Sequence, residues 1–358
     1  FPPRLQRCVQ RYWRRKRRVE EINGLTVGII ILLKFAGILQ YPDWWALNWL
    51  YRIRGTDPVD ERVIVVGLDD QDIQTLGWPL SDQDLTDLLQ TIDQGQPRAI
   101  GLDIYRDLSV EPGGDALDAF FQTSNHVIGI GDLDDNPPGH QALAAKDQVG
   151  FESIPEDRDG VARRYFLYAN ALSQNPPPIR TSFALKLAEV YLAQDQIAVQ
   201  SDITPVQIGA GVFPLFNRND GPYARSVAPG YQTLANFRGS EAIRIVSHRD
   251  VMAGVVDPSL FRDRVVVVGY TAESIRDFFE TPIRANNFIR RVSGVQVHAD
   301  FVSQILATAI DGRSNLRLWP NWLALLWVSS WIYAGAWMGW QCDRPLRWSI
   351  YVGLIIFG

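Results

Sequence analysis

The chain has 358 residues, with 35 Lys and Arg against 40 Asp and Glu and a formal net charge of −5. That acidic balance argues against nucleic acid as a partner. Its two cysteines, Cys8 and Cys342, leave the long stretch between them with none, so neither a disulfide nor a thiolate metal site can form there.

In chain order, residues 1–21 (FPPRLQRCVQRYWRRKRRVEE) come first, with eight basic and two acidic side chains. Their charge of +6 leaves −11 for the remainder. Basic clusters beside a membrane span stay cytoplasmic. Such a cluster is either a topology signal alone or also a contact with membrane lipid, worth about 1 kcal/mol per charge near an anionic surface. A first anchor follows from Asn23 to Gln40 and continues helically through LQYPDWWALNWLYRIRG. Lys34 lies inside it and either snorkels or faces a partner helix or cavity. A second anchor runs from Leu318 to Trp340, since a helix crosses hydrocarbon with about 20 mostly apolar residues. Six tryptophans lie between Trp319 and Trp340, and Gly335 and Gly339 form a G-x-x-x-G step suited to close helix packing.

These features divide the chain into a basic cytoplasmic segment (1–21), a first transmembrane helix with its extension (22–54) and an extracytoplasmic domain (55–316). A second transmembrane helix (317–340), a cytoplasmic loop (341–347) and the start of a third helix (348–358) follow. The chain reads as a piece of a longer membrane protein.

The domain alternates strands and helices. RVIVVGLDD is a buried β-branched strand ending in Asp69 and Asp70. Ser81 caps an amphipathic helix running to Gly95. RAIGLDIY, with Asp103 near its end, and HVIGIG are further strands around the helix ALDAFFQTS. This βαβαβ start predicts an α/β fold whose largely parallel central sheet has helices on both faces. Later come the strand GVARRYFLY, a helix capped by Thr181 or Ser182, the strand RVVVVGYTAE and a strand-to-helix element beginning GVQVHAD. The strands over 62–69, 99–104 and 264–269 are expected to be neighbours or near neighbours.

Several of these segments resemble the CHASE domain of the second type, an extracytoplasmic sensory module of bacterial receptors. The opening strand followed by Gly77, Trp78 and Pro79, the strand GLDIY, and Gly150, Phe151, Asp157, Asp159, Gly160 and Arg163 of GFESIPEDRDGVARR carry the resemblance. So do ANFRG, SHRDVMAG, VVVVGYTAESIRDFFETP and SGVQVHAD, in that order along the chain. The chain departs from the pattern at Leu80, Ser81 and Asp82, where an arginine is usual, and at Ser293, where proline is. The resemblance implies a bacterial inner (plasma) membrane receptor. It also implies three helices after the domain and a cytoplasmic cyclase or kinase output.

The candidate ligand-binding residues are Asp69, Asp70, Asp103, Arg163, Thr271, Asp277 and His298. Carboxylates at the carboxyl ends of parallel strands sit where open α/β sheets bind ligands, although Asp also caps loops and helices. Thr271 and Asp277 follow the VVVVG strand and line the same edge in this reading. Arg163 either binds an anion or pairs with Asp157 and Asp159. His298 is either a ligand-contacting residue or a packing histidine. The sequence holds no nucleophile elbow, His-Glu-x-x-His, P-loop or kinase or cyclase signature. The expected function is therefore a receptor module without catalysis, metal or cofactor, sensing a small extracytoplasmic ligand as a homo-oligomer. The rival reading is a constitutive assembly module that clusters attached cytoplasmic domains.

Overall fold

The computed structural model describes residues 3–134, 138–171, 176–239, 242–285 and 288–341. Its helices are α1 (Pro3–Phe35), α2 (Gln40–Ile53), α3 (Asp70–Leu76), α4 (Asp82–Asp93), α5 (Gly114–Thr123), α6 (Gln141–Ala144), α7 (Phe183–Ala193), α8 (His248–Met252), α9 (Gly294–Asp311) and α10 (Asn321–Gln341). Its strands are β1 (Val63–Leu68), β2 (Ala99–Asp103), β3 (Val127–Gly131), β4 (Val149–Phe151), β5 (Arg164–Asn170), β6 (Ile179–Thr181) and β7 (Val199–Gln200). They continue with β8 (Val206–Ile208), β9 (Gly211–Phe213), β10 (Tyr231–Leu234), β11 (Arg244–Ser247), β12 (Val265–Tyr270), β13 (Phe278–Ala285) and β14 (Phe288–Ser293). Two compact units emerge: Phe1–Ala46 with Asn217–Val227 and Leu318–Gly358, and Leu47–Phe216 with Ala228–Arg317.

In the first unit α1 packs against α10. Trp44 is buried edge-on between Tyr41 and Tyr223, with ring centroids 5.5 and 5.7 Å away. Lys34 lines a small pocket with Asn219, Tyr223 and Asn321. Among the described residues no single helix is long and apolar enough to cross a membrane, whereas Lys16–Phe35 and Gln40–Ile53 qualify together as a pair bent by 83°. The expected first anchor is thus interrupted at 36–39. In α10 the many Trp, Tyr, Ser and Gly residues lower the hydropathy of the expected second one. Trp327 stacks edge-on with Trp319 and Trp331, and all three are about half exposed. Among the described residues a Cβ at Gly335 meets nothing within 4 Å. The surroundings of Gly339, and the expected third helix over 348–358, lie outside the described residues.

The second unit is built on a six-stranded sheet in the order β11-β1-β12-β2-β3-β4. All five ladders are parallel. Val63, Val65, Val265 and Val267 face one core with α7 and α9, while Ile64, Val66, Val266 and Val268 face another with α4, α5 and α8. Both faces are covered, so these strands read as continuous β-branched runs. The expected strands over 62–69 and 99–104 are not direct neighbours, because β12 lies between β1 and β2. Two small antiparallel sheets, β10-β5-β6 and β7-β8-β9, and the hairpin β13-β14 complete the unit.

The GVQV segment is not a strand. α9 opens at Gly294 with Ser293 in the N-cap position. Val295 and Val297 are fully buried, so their branched side chains serve the contact of a helix with the sheet.

Candidate functional site

The carboxyl edge of the central sheet is where the site forms. Asp103, the last residue of β2, is level with Gly269 of β12 and, one strand further, Gly67 of β1. Beyond this edge the chain diverges into Ile104, Tyr105 and Arg106. The segment after β4 brings Glu152 and Ile154, the segment around β13 brings Ile275, Asp277 and Phe279, and α9 brings Gly294 and His298. With Trp78, Pro79, Ile130 and Tyr270 they line a cavity of about 380 Å³, a size that suits a small organic molecule.

Two glycines allow this convergence. A Cβ at Gly269 would lie 2.8 Å from Val295 Cβ and 3.1 Å from Asp103 Cβ, so glycine lets the start of α9 rest on β12 beside Asp103. A Cβ at Gly294 would lie 2.2 Å from Asp277 Oδ2. Its absence seats the Asp277 carboxylate against the first residue of α9. Gly294 N–H also donates to the Asp277 backbone carbonyl at 3.0 Å. Ser293 makes no side-chain cap, and a carboxylate at a helix N-terminus is favourably placed for the helix dipole.

Three acids share the cavity. Burial pushes the Asp103 carboxyl well above the ordinary carboxylate range, and the negative Asp277 and Glu152 push the same way. Burial also raises Glu152, against the pull of a hydrogen bond from Tyr105 Oη to Oε1 at 2.6 Å. Asp277 is raised by burial and tempered by the Gly294 backbone. Burial pushes His298 down to about 4, against its hydrogen bond to the Glu152 backbone, so its imidazole is neutral at physiological pH. The ring packs edge-on against Phe183, with centroids 5.3 Å apart. Arg106 is buried in the wall, donating from Nη2 to Leu80 O at 2.6 Å with Nε 3.6 Å from Asp82 Oδ1.

Of the candidates read from sequence, the structure brings Asp103, Asp277 and His298 into this cavity. The others stand elsewhere. Asp69 caps α3, accepting from Gln71 and Asp72 N–H, and holds Arg249 through two oxygens at 2.6 and 2.9 Å. The Arg249 hydrogen bonds keep its carboxyl down at about 2. Asp70 accepts from the backbone N–H groups of Glu273 and Ser274, pinning the turn after β12. Thr271 donates its N–H to Leu68 O at 2.8 Å, and its side chain packs against Gly67. Arg163 is fully buried and paired with Asp157 at 2.8 Å and Asp159 at 2.7 Å, with Nε donating to Asn48. It therefore makes the salt bridges that were one of its two readings.

Glu152, Tyr105 and Tyr270 join the site without having been singled out from sequence. Glu152 directly follows the Gly150-Phe151 pair, and that adjacency to a motif is the one signal it offered. Among the described residues no group of three or more His, Cys, Asp or Glu is arranged to hold a metal ion.

Comparison with known proteins gives one positive result. No curated protein and no solved structure matches the chain. The model of the CHASE2 domain family matches residues 25–337, most of the chain. The chain therefore belongs to the CHASE2 family, the extracytoplasmic sensory domains of membrane receptors.

Proposed function

We propose that this chain is the sensing part of a receptor whose cavity at the carboxyl edge of the sheet takes a small extracytoplasmic ligand. In this reading occupancy is relayed through the helices of the first unit to a cytoplasmic output outside this chain. The observation that carries it is the convergence of Asp103, Glu152, Asp277 and His298 on a concave, largely apolar cavity. That edge is where open α/β sheets bind ligands. A family of sensory domains adds support. The first turns of α9 lie in the cavity wall, which gives a ligand direct purchase on an 18-residue helix.

The bent pair Lys16–Phe35 and Gln40–Ile53 and the Trp-rich α10 are proposed as the membrane-associated helices. The basic residues of 1–21 then face cytoplasmic lipid. A second copy of the chain is proposed to pack on the Gly335 and Gly339 step, where no described residue crowds Gly335.

A thermal-shift screen of the whole chain in a membrane mimic tests the sensing role. Ile154→Trp, which fills the cavity, serves as the control. Stabilising compounds should lose their effect on Ile154→Trp. Compounds that stabilise both proteins equally would remove the cavity from the sensing role.

A further inference from the structure

The one basic side chain among the described lining residues, Arg106, is turned away from the acids of the cavity, toward Leu80 O and Asp82. Asp103, Glu152 and Asp277 come from three separate segments. The charges that act on Asp103 are the two other acids, and no described basic side chain offsets them. Glu152 receives the Tyr105 hydroxyl, and the Asp277 carboxylate lies against Gly294 at the start of α9. Asp103 accepts no hydrogen bond from a described residue. His298 is a second, independent acceptor of the same kind. It is 6% exposed and stands in the cavity wall. A neutral imidazole has one donor and one acceptor nitrogen. The donor is used on the Glu152 backbone, which leaves a lone pair without a described donor. The rest of the wall is apolar and aromatic, with Trp78, Tyr105, Tyr270 and Phe279. Ring faces attract organic cations as well as apolar bodies.

We propose that the cavity binds a small organic cation: an ammonium head, with its N–H donors on Asp103 and His298, carried on an apolar or aromatic body. This rests on the sensing reading above and names the ligand class for the same site. A carboxylate or phosphate ligand would meet like charge from each acid that ionises, and a neutral ligand supplies no counter-charge that would let one ionise.

Proton linkage follows. The acids are raised by burial and by one another, so the free cavity holds protons that a cation displaces. The other titratable or charged groups facing them are His298, Tyr105, Tyr270, Arg106 and Asp132. His298 is already neutral above about 4, and the tyrosines stay protonated because burial raises them. Amine binding should therefore release protons and strengthen as pH rises through the acidic range.

The experiment is calorimetry on the full chain in a membrane mimic with three probes of one shape: phenethylamine, phenethyl alcohol and phenylacetate. Phenethylamine should bind, with a heat that varies with the ionisation enthalpy of the buffer, and the other two should not. Asp103→Asn and Glu152→Gln keep side-chain shape, and each should weaken phenethylamine by at least about tenfold. Asp103→Asn should also raise the melting temperature of the unliganded protein, because it removes a buried acid with no counter-charge. Equal binding of the alcohol or of phenylacetate, or phenethylamine binding unchanged in a folded Asp103→Asn, would overturn the cation while leaving the cavity as the sensor. Failure of all three probes overturns the cation as well. The sensing reading itself fails on the separate Ile154→Trp comparison.

Discussion

At the scale of single residues, the buried charges of α9 and its surroundings separate structural from responsive groups. Arg163 has its carboxylates in place, and an arginine so paired is costly to disturb but indifferent to its surroundings. Asp300 differs. It is 8% exposed, and its Oδ1 has no hydrogen-bond partner among the described residues. Burial pushes its carboxyl up to about 8, against the attraction of Arg238 and Arg313. The unfolded carboxyl ionises near 3.8. Between that value and about 8 the unfolded state releases a proton that the folded state keeps. The stability from this group is complete at low pH and is lost as pH rises through the folded value. Asp300→Asn is expected to flatten this decline, measured as urea unfolding free energy at a series of pH values. Equal slopes in parent and variant would show that Asp300 ionises normally. The sequence marked Asp103 and Asp277 because acids at strand ends and after a strand have a general reason to meet a ligand. It could not mark Glu152 or Tyr105, which matter only because separate segments fold onto one another, nor Asp300, whose nearby Arg238 comes from a distant segment and whose Arg313 lies beyond the end of its own helix.

At the scale of elements, burial on both faces made the central strands readable, and the same feature makes their covering helices sensitive. α7 is apolar almost all round, and Leu187 is fully buried in the core it shares with α9 and the sheet. Leu187→Ala should cost about 2–5 kcal/mol, the range for emptying a large aliphatic site in a packed core. Chemical denaturation measures it, and a loss below 1 kcal/mol would mean that the neighbours collapse into the space. The start of α9 was misread because Val-Gln-Val has strand composition, and only the partner surface decides whether such valines belong to a strand or to a buried helix face. The short strands β6 to β9 were unreadable for a different reason. Each has two or three residues, too few for any periodicity to show.

At the scale of the whole molecule, the topology rests on the charge of residues 1–21. In intact cells a membrane-impermeant maleimide should modify a cysteine introduced at Pro138 and spare Cys8. Labelling of Cys8 would reverse the orientation. The class of fold was legible from the alternation of strands and helices, but the strand order was not. No local signal says that β12 inserts between β1 and β2. That insertion has a consequence for how the protein is made. β1 and β2 are complete by Asp103, yet the strand that joins them begins at Val265, about 160 residues later. At roughly 5–20 residues per second of synthesis, two buried apolar strands wait some ten to thirty seconds with their facing edges open. A nascent chain that stalls before Val265 therefore carries the inner edges of β1 and β2 unpaired until β12 is made.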